Sequence, residues 1–88
     1  MQIRLTSPIK DEDGYNRDDL KKIWLVFLWK DHPNYHSVTH RRHGQQDMLI
    51  IGRPYPDTKF AGWFLSITRF RKFVLDGTII ILTQGDSI

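Results

Sequence analysis

The feature that most constrains this sequence is the apolar run IWLVFLW at residues 23–29. In a chain of only 88 residues, seven consecutive apolar side chains must lie near the centre of any core that forms. The preceding residues resemble the start of a helix, because Asn16 is a suitable N-cap. Asp18 and Asp19 would then lie in the first turn, where the helix dipole favours negative charge. We therefore predict a helix over residues 17–31.

The same run is rich in β-favouring residues, so a buried strand is the alternative to a helix. If the run is helical, the helix is apolar nearly all round, because Leu25, Val26 and Trp29 lie opposite its main apolar face. So short a chain has little material left to cover a second apolar face. We therefore expect Leu25, Val26 and Trp29 to contact a partner or a second copy of the chain, which predicts a homodimer.

Four further segments have the patterns of β-strands. Alternation of apolar and polar residues predicts a first strand over residues 2–7. Residues 35–42 and 47–53 flank a glycine-containing turn, which predicts that they pair as a β-hairpin. The unbroken apolar run TIIILT at 78–83 predicts a last strand in the centre of the sheet.

A second helix is predicted over residues 57–75, where apolar residues recur at helical spacing. Asp57 or Thr58 would cap its start, and Gly77 fits the position just after its end. The order βαββαβ closes most simply as a ferredoxin-like two-layer sandwich. This is an α+β fold with two helices on one face of a four-stranded antiparallel sheet, and residues 1–88 would form it as one domain.

The composition excludes several classes of protein. The chain has no cysteine, which excludes a disulfide scaffold, a thiolate zinc site and a cysteine nucleophile. It also has no glycine-rich phosphate loop. No apolar stretch approaches the ~20 residues of a membrane span, and the first residues lack the apolar core of a signal peptide. We expect a non-secreted protein, cytoplasmic or nuclear, with no membrane association and no cofactor.

The net charge of +3 is unevenly distributed. Residues 1–31 hold six Lys/Arg and six Asp/Glu, whereas residues 32–88 hold seven Lys/Arg, four Asp and all four histidines. This excess predicts that the second part contacts a negatively charged partner, because arginine pairs with phosphate through a two-point fork. The candidate nucleic-acid or anion-binding residues are His36, His40, His43, Arg41, Arg42, Arg53, Lys59, Arg69, Arg71 and Lys72.

The stretch YHSVTHRRHG at residues 35–44 holds three of the four histidines and allows several interpretations. On a helix, the spacing of His36, His40 and His43 could bind a metal, but on the predicted strand it does not, and we predict no metal site. Two imidazoles beside arginines could cleave RNA as general base and general acid. The hairpin could also bind phosphate, or it could be a solvent-exposed surface without a function.

We therefore expect a small non-enzymatic binding protein that engages nucleic acid or another acidic partner, such as an acidic protein surface. It would act by electrostatic capture, supported by aromatic stacking. Two alternatives stay open. One is an interaction or inhibitor module, with a regulatory or viral accessory role, that binds a protein through the apolar helix face. The other is a small ribonuclease that depends on His36 and His40.

Overall fold

The computed structural model describes residues 1–31, 47–52 and 62–83. In these ranges the chain forms seven strands, one α-helix and one turn of 3-10 helix. The strands are β1 (Gln2–Leu5), β2 (Ile9–Lys10), β3 (Asn16–Arg17), β4 (Trp24–Leu28), β5 (Met48–Gly52), β6 (Gly62–Ser66) and β7 (Ile79–Thr83). The helix α1 spans Ile67–Leu75, and the 3-10 turn spans Trp29–Asp31.

Five of these strands form one antiparallel sheet in the order β6-β5-β4-β1-β7, and β2 pairs with β3 in a separate hairpin. The predicted ferredoxin-like arrangement is therefore wrong. It required two helices on a four-stranded sheet, whereas the described residues hold one α-helix and a five-stranded sheet. The broader α+β class holds. Helix α1 joins β6 to β7, the two edge strands of the described sheet, and packs against both.

The run IWLVFLW forms a strand, so the helix predicted over residues 17–31 is wrong. Strand β4 lies between β1 and β5, and its side chains alternate between two faces. Trp24 and Val26 are buried in the main core of the domain. Leu25 and Phe27 point to the opposite face of the sheet. A central strand with apolar surroundings on both faces needs an unbroken apolar run. The buried strand, which was the alternative to the helix, is therefore the correct interpretation of this run.

The second predicted helix does not run unbroken over residues 57–75, because residues 62–66 form β6 and α1 begins at Ile67. Its N-cap is Ser66, whose Oγ accepts the N–H of Arg69 at 3.2 Å. The residues just before Ser66 form β6, in which Trp63, Phe64 and Leu65 are all buried. A helix could not bury three consecutive side chains against one surface, whereas a strand with apolar contacts on both faces can.

The end of α1 agrees with the prediction. The helix ends at Leu75 with Asp76 as its C-cap, and Gly77 follows with a φ of 83°. Glycine adopts this left-handed conformation without the steric cost that a Cβ imposes, which confirms Gly77 as the residue after the helix. The predicted start of this helix, at residues 57–61, lies outside the described ranges.

The outer strands agree in part with the sequence prediction. The first strand is confirmed as β1 and the last as β7, but β7 lies at an edge of the described sheet and not at its centre. Within the predicted segment 47–53, Met48–Gly52 is confirmed as a buried strand, β5. Its predicted hairpin partner, residues 35–42, lies outside the described ranges, and β5 pairs on its two sides with β4 and β6 instead.

The sheet is apolar on both faces. The face under α1 holds the main core, which Phe70 of α1 completes: Ile3, Leu5, Ile9, Trp24, Val26, Leu49, Ile51, Trp63, Leu65, Phe70 and Ile79. On the other face, Trp29 packs with Met48, Ile50 and Phe64 in a second buried cluster. The rings of Trp29 and Phe64 meet edge to face, with 5.0 Å between their centroids.

We predict that Trp29 stabilises the fold of the single chain. Its side chain is only 1% exposed, so the variant Trp29→Ala should lower the free energy of unfolding by about 3–5 kcal/mol, as expected for the loss of a buried aromatic ring. Urea unfolding followed by circular dichroism measures this change. The control is Leu75→Ala, because Leu75 is 88% exposed and its loss should change stability by less than about 0.5 kcal/mol. Equal effects of the two substitutions would contradict the assignment.

Candidate functional site

The outer surface of α1 is the most cationic element in the described structure. The helix carries Arg69, Arg71 and Lys72 and no acidic residue. Arg71 and Lys72 are exposed, and within the described ranges neither forms a salt bridge. Hydrogen bonds from Thr78 lower the pKa of Asp76 at the end of the helix, and the charge of Lys72 helps to lower it. They lie on the outward stripe of the helix because Ile67, Phe70, Phe73 and Val74 occupy the inward one. Leu75 completes the outward stripe.

Arg69 differs from Arg71 and Lys72 because its guanidinium forms a salt bridge within the fold. Its Nη1 donates to Glu12 Oε1 at 3.1 Å, and its Nη2 donates to the backbone carbonyl of Lys10. The guanidinium also lies over the ring of Phe73, 5.5 Å from its centroid. Arg69 therefore holds α1 against the β2–β3 hairpin, and Arg71 and Lys72 are the two cations of α1 left for a partner.

Glu12 is the acceptor that organises this junction. Its Oε1 accepts the backbone N–H of Ser66 at 2.9 Å, in addition to the bond from Arg69, and its own N–H donates to the carbonyl of Phe64 at 2.9 Å. Partial burial acts to raise the pKa of Glu12. The hydrogen bond from Ser66 and the hydrogen bond and charge of Arg69 outweigh burial, so the pKa lies below its ordinary value.

Asp11 builds the turn that presents Glu12. Its carboxylate is fully buried, and Oδ1 accepts the N–H groups of Asp13 (2.8 Å) and Tyr15 (3.1 Å). Oδ2 accepts Nε of Arg17 at 2.8 Å. Gly14 has a φ of 86°, a conformation that glycine adopts most easily, so the turn depends on it. A buried carboxylate needs such partners, because an unpaired charge in the interior is very unfavourable.

A cluster of aromatic rings and cations lies around the start of β4 and β6. The rings of Trp24 and Trp63 meet edge to face at 5.4 Å. Arg17 lies over Trp63 at 5.7 Å, and Lys22 lies over Trp24 at 5.5 Å. Arg17 forms a salt bridge with Asp11, and Lys22 forms one with Asp19. Both cations of the cluster are therefore already neutralised within the chain. Tyr15, which is 66% exposed, is the accessible ring here.

The other predicted site residues divide into two groups. His36, His40, His43, Arg41, Arg42, Arg53 and Lys59 lie outside the described residues, so their role stays a prediction. Val26 and Trp29, predicted to contact a partner, are buried within the chain itself, and Leu25 is half-buried on the face of the sheet that α1 does not cover. A contact through Val26 or Trp29 would therefore require the core to open.

The sequence pattern does not identify Asp11 and Glu12 as residues that organise this junction. The stretch DEDGY at residues 11–15 predicts a turn. The aspartate side chain at its start can accept backbone N–H groups of residues that follow it, and the glycine permits a positive φ. The stretch does not reveal that Glu12 contacts Arg69, which is 57 positions away in the sequence. Only the approach of the hairpin to β6 brings these two side chains together.

Within the described residues, no group of three or more His, Asp or Glu side chains is arranged to hold a metal ion. In the same ranges, no helix has the length and apolar character needed to cross a membrane. Comparisons with known protein families, with curated proteins and with solved structures found no match to this chain.

We predict that Glu12 makes the stability of the fold depend on pH. Because the pKa of Glu12 is lower in the folded chain than its ordinary value of 4.5, its contribution is fully present above that value and is lost as the pH falls through the folded pKa. Unfolding measured between about pH 3 and 7 should show this loss. The variant Glu12→Gln should lower stability at pH 7 by about 1–2 kcal/mol and flatten the pH profile.

The matched control for this test is Asp18→Asn, which removes the same charge from an exposed residue that forms no ion pair in the described structure. It should leave both the stability at pH 7 and the shape of the profile nearly unchanged. An unaltered profile in Glu12→Gln would show that other carboxylates cause the acid sensitivity.

Proposed function

We propose that the protein binds nucleic acid through the outer surface of α1. The observation that supports this proposal is the division of charge on the helix. Arg69 is held by Glu12, whereas Arg71 and Lys72 are exposed and form no ion pair in the described structure. Arg71 and Lys72 therefore break no salt bridge of the described structure when they bind a phosphate, and Lys72 gives up only its attraction to the exposed Asp76.

The chemistry of these two side chains suits a phosphate backbone. The guanidinium of Arg71 can bind two phosphate oxygens in a planar fork, and the ammonium of Lys72 acts as a compact point charge. Neutralising phosphates releases condensed counterions, which favours binding and makes it salt-dependent. The exposed side chain of Leu75 lies on the same stripe and offers apolar contact to a sugar or base.

Two phosphate contacts alone give weak binding. The cations Arg41, Arg42, Arg53 and Lys59 would extend the contact, and they account for a large part of the positive charge of residues 32–88. The single charged stripe of α1 reads the backbone instead of base edges, so we propose binding with little sequence preference.

The acidic protein surface is the other partner that the cations of α1 would suit. We favour nucleic acid because its phosphates form a dense line of charge, so a small protein with few cations gains most from it. A protein partner would need a contact area large enough to exclude water around an apolar centre. In the described part of α1, Leu75 alone offers an apolar side chain on the outward stripe.

The proposal predicts that binding to short single-stranded RNA weakens steeply between about 50 and 200 mM salt, as expected when phosphates displace counterions. The double variant Arg71→Gln/Lys72→Gln should reduce the slope of log K against log salt by roughly 1.4, since each single-strand phosphate contact contributes about 0.7. Fluorescence anisotropy of labelled RNA and DNA measures the affinity, and gel analysis of the same samples detects cleavage.

The matched control is Lys21→Gln/Lys30→Gln, which removes the same charge from exposed lysines that also form no ion pair in the described ranges. It should retain most of the slope. No binding at high micromolar protein would overturn the proposal, and so would equal losses in the two double variants. Binding to an acidic protein with none to RNA or DNA would favour the other partner class.

A further inference from the structure

The two edge strands of the described sheet differ in how they are protected. Along β6, the free edge is closed by Glu12, which accepts the N–H of Ser66 and donates to the carbonyl of Phe64. These bonds occupy the outward backbone groups that another strand would use. No comparable cover lies along β7 in the described residues, where β1 is its single neighbour.

The hydrogen bonds between β1 and β7 define which backbone groups of β7 face outward. Thr6 donates its N–H to the carbonyl of Thr78 at 2.8 Å, and Arg4 lies opposite Ile80 in the same register. In an antiparallel pair, residues facing the neighbour alternate with residues facing away. Ile80 therefore bonds to β1, and Ile79 and Ile81 direct their N–H and C=O groups to the free edge.

The side chains of β7 do not discourage pairing. Its sequence, IIILT, contains no charge and no proline, which are two of the devices that keep an edge strand from adding another. The ladder between β1 and β7 has one register shift, opposite Gln2 and Ile3, so the regular part of the edge is Ile79–Ile81. Ile80 is 39% exposed on the face that α1 does not cover, and Leu82, at the register shift, is 40% exposed. An uncharged edge of branched aliphatic residues is well suited to accept a strand of the same kind.

We propose that β7 pairs antiparallel with β7 of a second copy of the chain, about a two-fold axis at Ile80. In this register Ile79 of one copy exchanges both backbone hydrogen bonds with Ile81 of the other. Each Ile80 then faces its symmetry equivalent in a closely spaced pair, where aliphatic side chains make favourable cross-strand contact. The two five-stranded sheets join into one continuous sheet.

A second copy fits this edge better than a charged peptide does. Because β7 carries no charge, it offers an acidic or basic strand no electrostatic attraction. The nearest cation on the same face is Arg4, one strand inward. In the symmetric dimer the two Arg4 side chains are three strand spacings apart, roughly 14 Å, which is beyond the Debye length of about 8 Å at physiological salt. The positive charge of the two chains therefore does not oppose pairing at this position.

This contact is independent of nucleic-acid binding, because it uses β7 and not the outer surface of α1. Sedimentation velocity of the wild-type chain from about 5 to 500 μM should show a mass that rises with concentration toward twice 10.5 kDa. The variant Ile80→Lys places like charges opposite each other and should weaken the dimer by about tenfold or more. Its control is Phe27→Lys, because Phe27 is also 39% exposed on that face but lies in the central strand β4.

Amide hydrogen exchange of the wild-type chain gives a second measurement that needs no substitution. The amides of Ile79 and Ile81 should become more protected as concentration rises, whereas the amide of Ile80 should be protected throughout. A monomer at every concentration overturns the proposal, and so does a dimer that leaves Ile79 and Ile81 unprotected. A dimer that Ile80→Lys and Phe27→Lys weaken equally assigns the contact to the sheet face and also overturns it.

Discussion

The burial of β5 between β4 and β6 is the constraint on which the rest of this structure depends. All five residues of β5 are buried, and the strand pairs on both sides. Since its side chains point to both faces, each face must have its own apolar cover. Helix α1 covers one face through Phe70, and Trp29 covers part of the other. The position of α1, and so of its outward cations, follows from this requirement.

The sequence predicted three of the seven described strands, β1, β5 and β7, and misjudged both helices. One physical cause explains the errors at β4 and β6. Residues 24–28 and 62–66 form strands that are apolar on both faces, so they lack the alternation by which a strand is recognised. Their apolar residues also fit helical spacing. The predictions that succeeded rest on local chemistry, such as the positive φ of Gly77 after α1. For the candidate site, the sequence predicted the cations Arg71 and Lys72, which are exposed in the structure. It could not predict the hydrogen bond between Arg69 and Glu12, because that bond depends on tertiary structure.

Glu12 connects three properties that a sequence treats separately. Its carboxylate neutralises one of the three cations of α1, its hydrogen bonds close the edge of β6, and its contact with Ser66 lies beside the N-terminal end of the helix. The position of this one side chain therefore determines how many cations of α1 lack a salt bridge in the described structure and which edge of the described sheet is covered. The β2–β3 hairpin, built around buried Asp11, holds it there.

The pairing of β1 with β7 has a consequence for how the chain folds. These strands comprise Gln2–Leu5 and Ile79–Thr83, so the ladder between them joins segments more than 70 residues apart. Closing so long a loop costs chain entropy before any contact compensates it, which makes such pairings slow to form. During synthesis, β1 stays without this neighbour until the segment holding β7 has left the ribosome. The edge of β1 therefore stays exposed in the nascent chain while the residues between the two strands are being made, and an exposed edge raises the risk of aggregation over that interval.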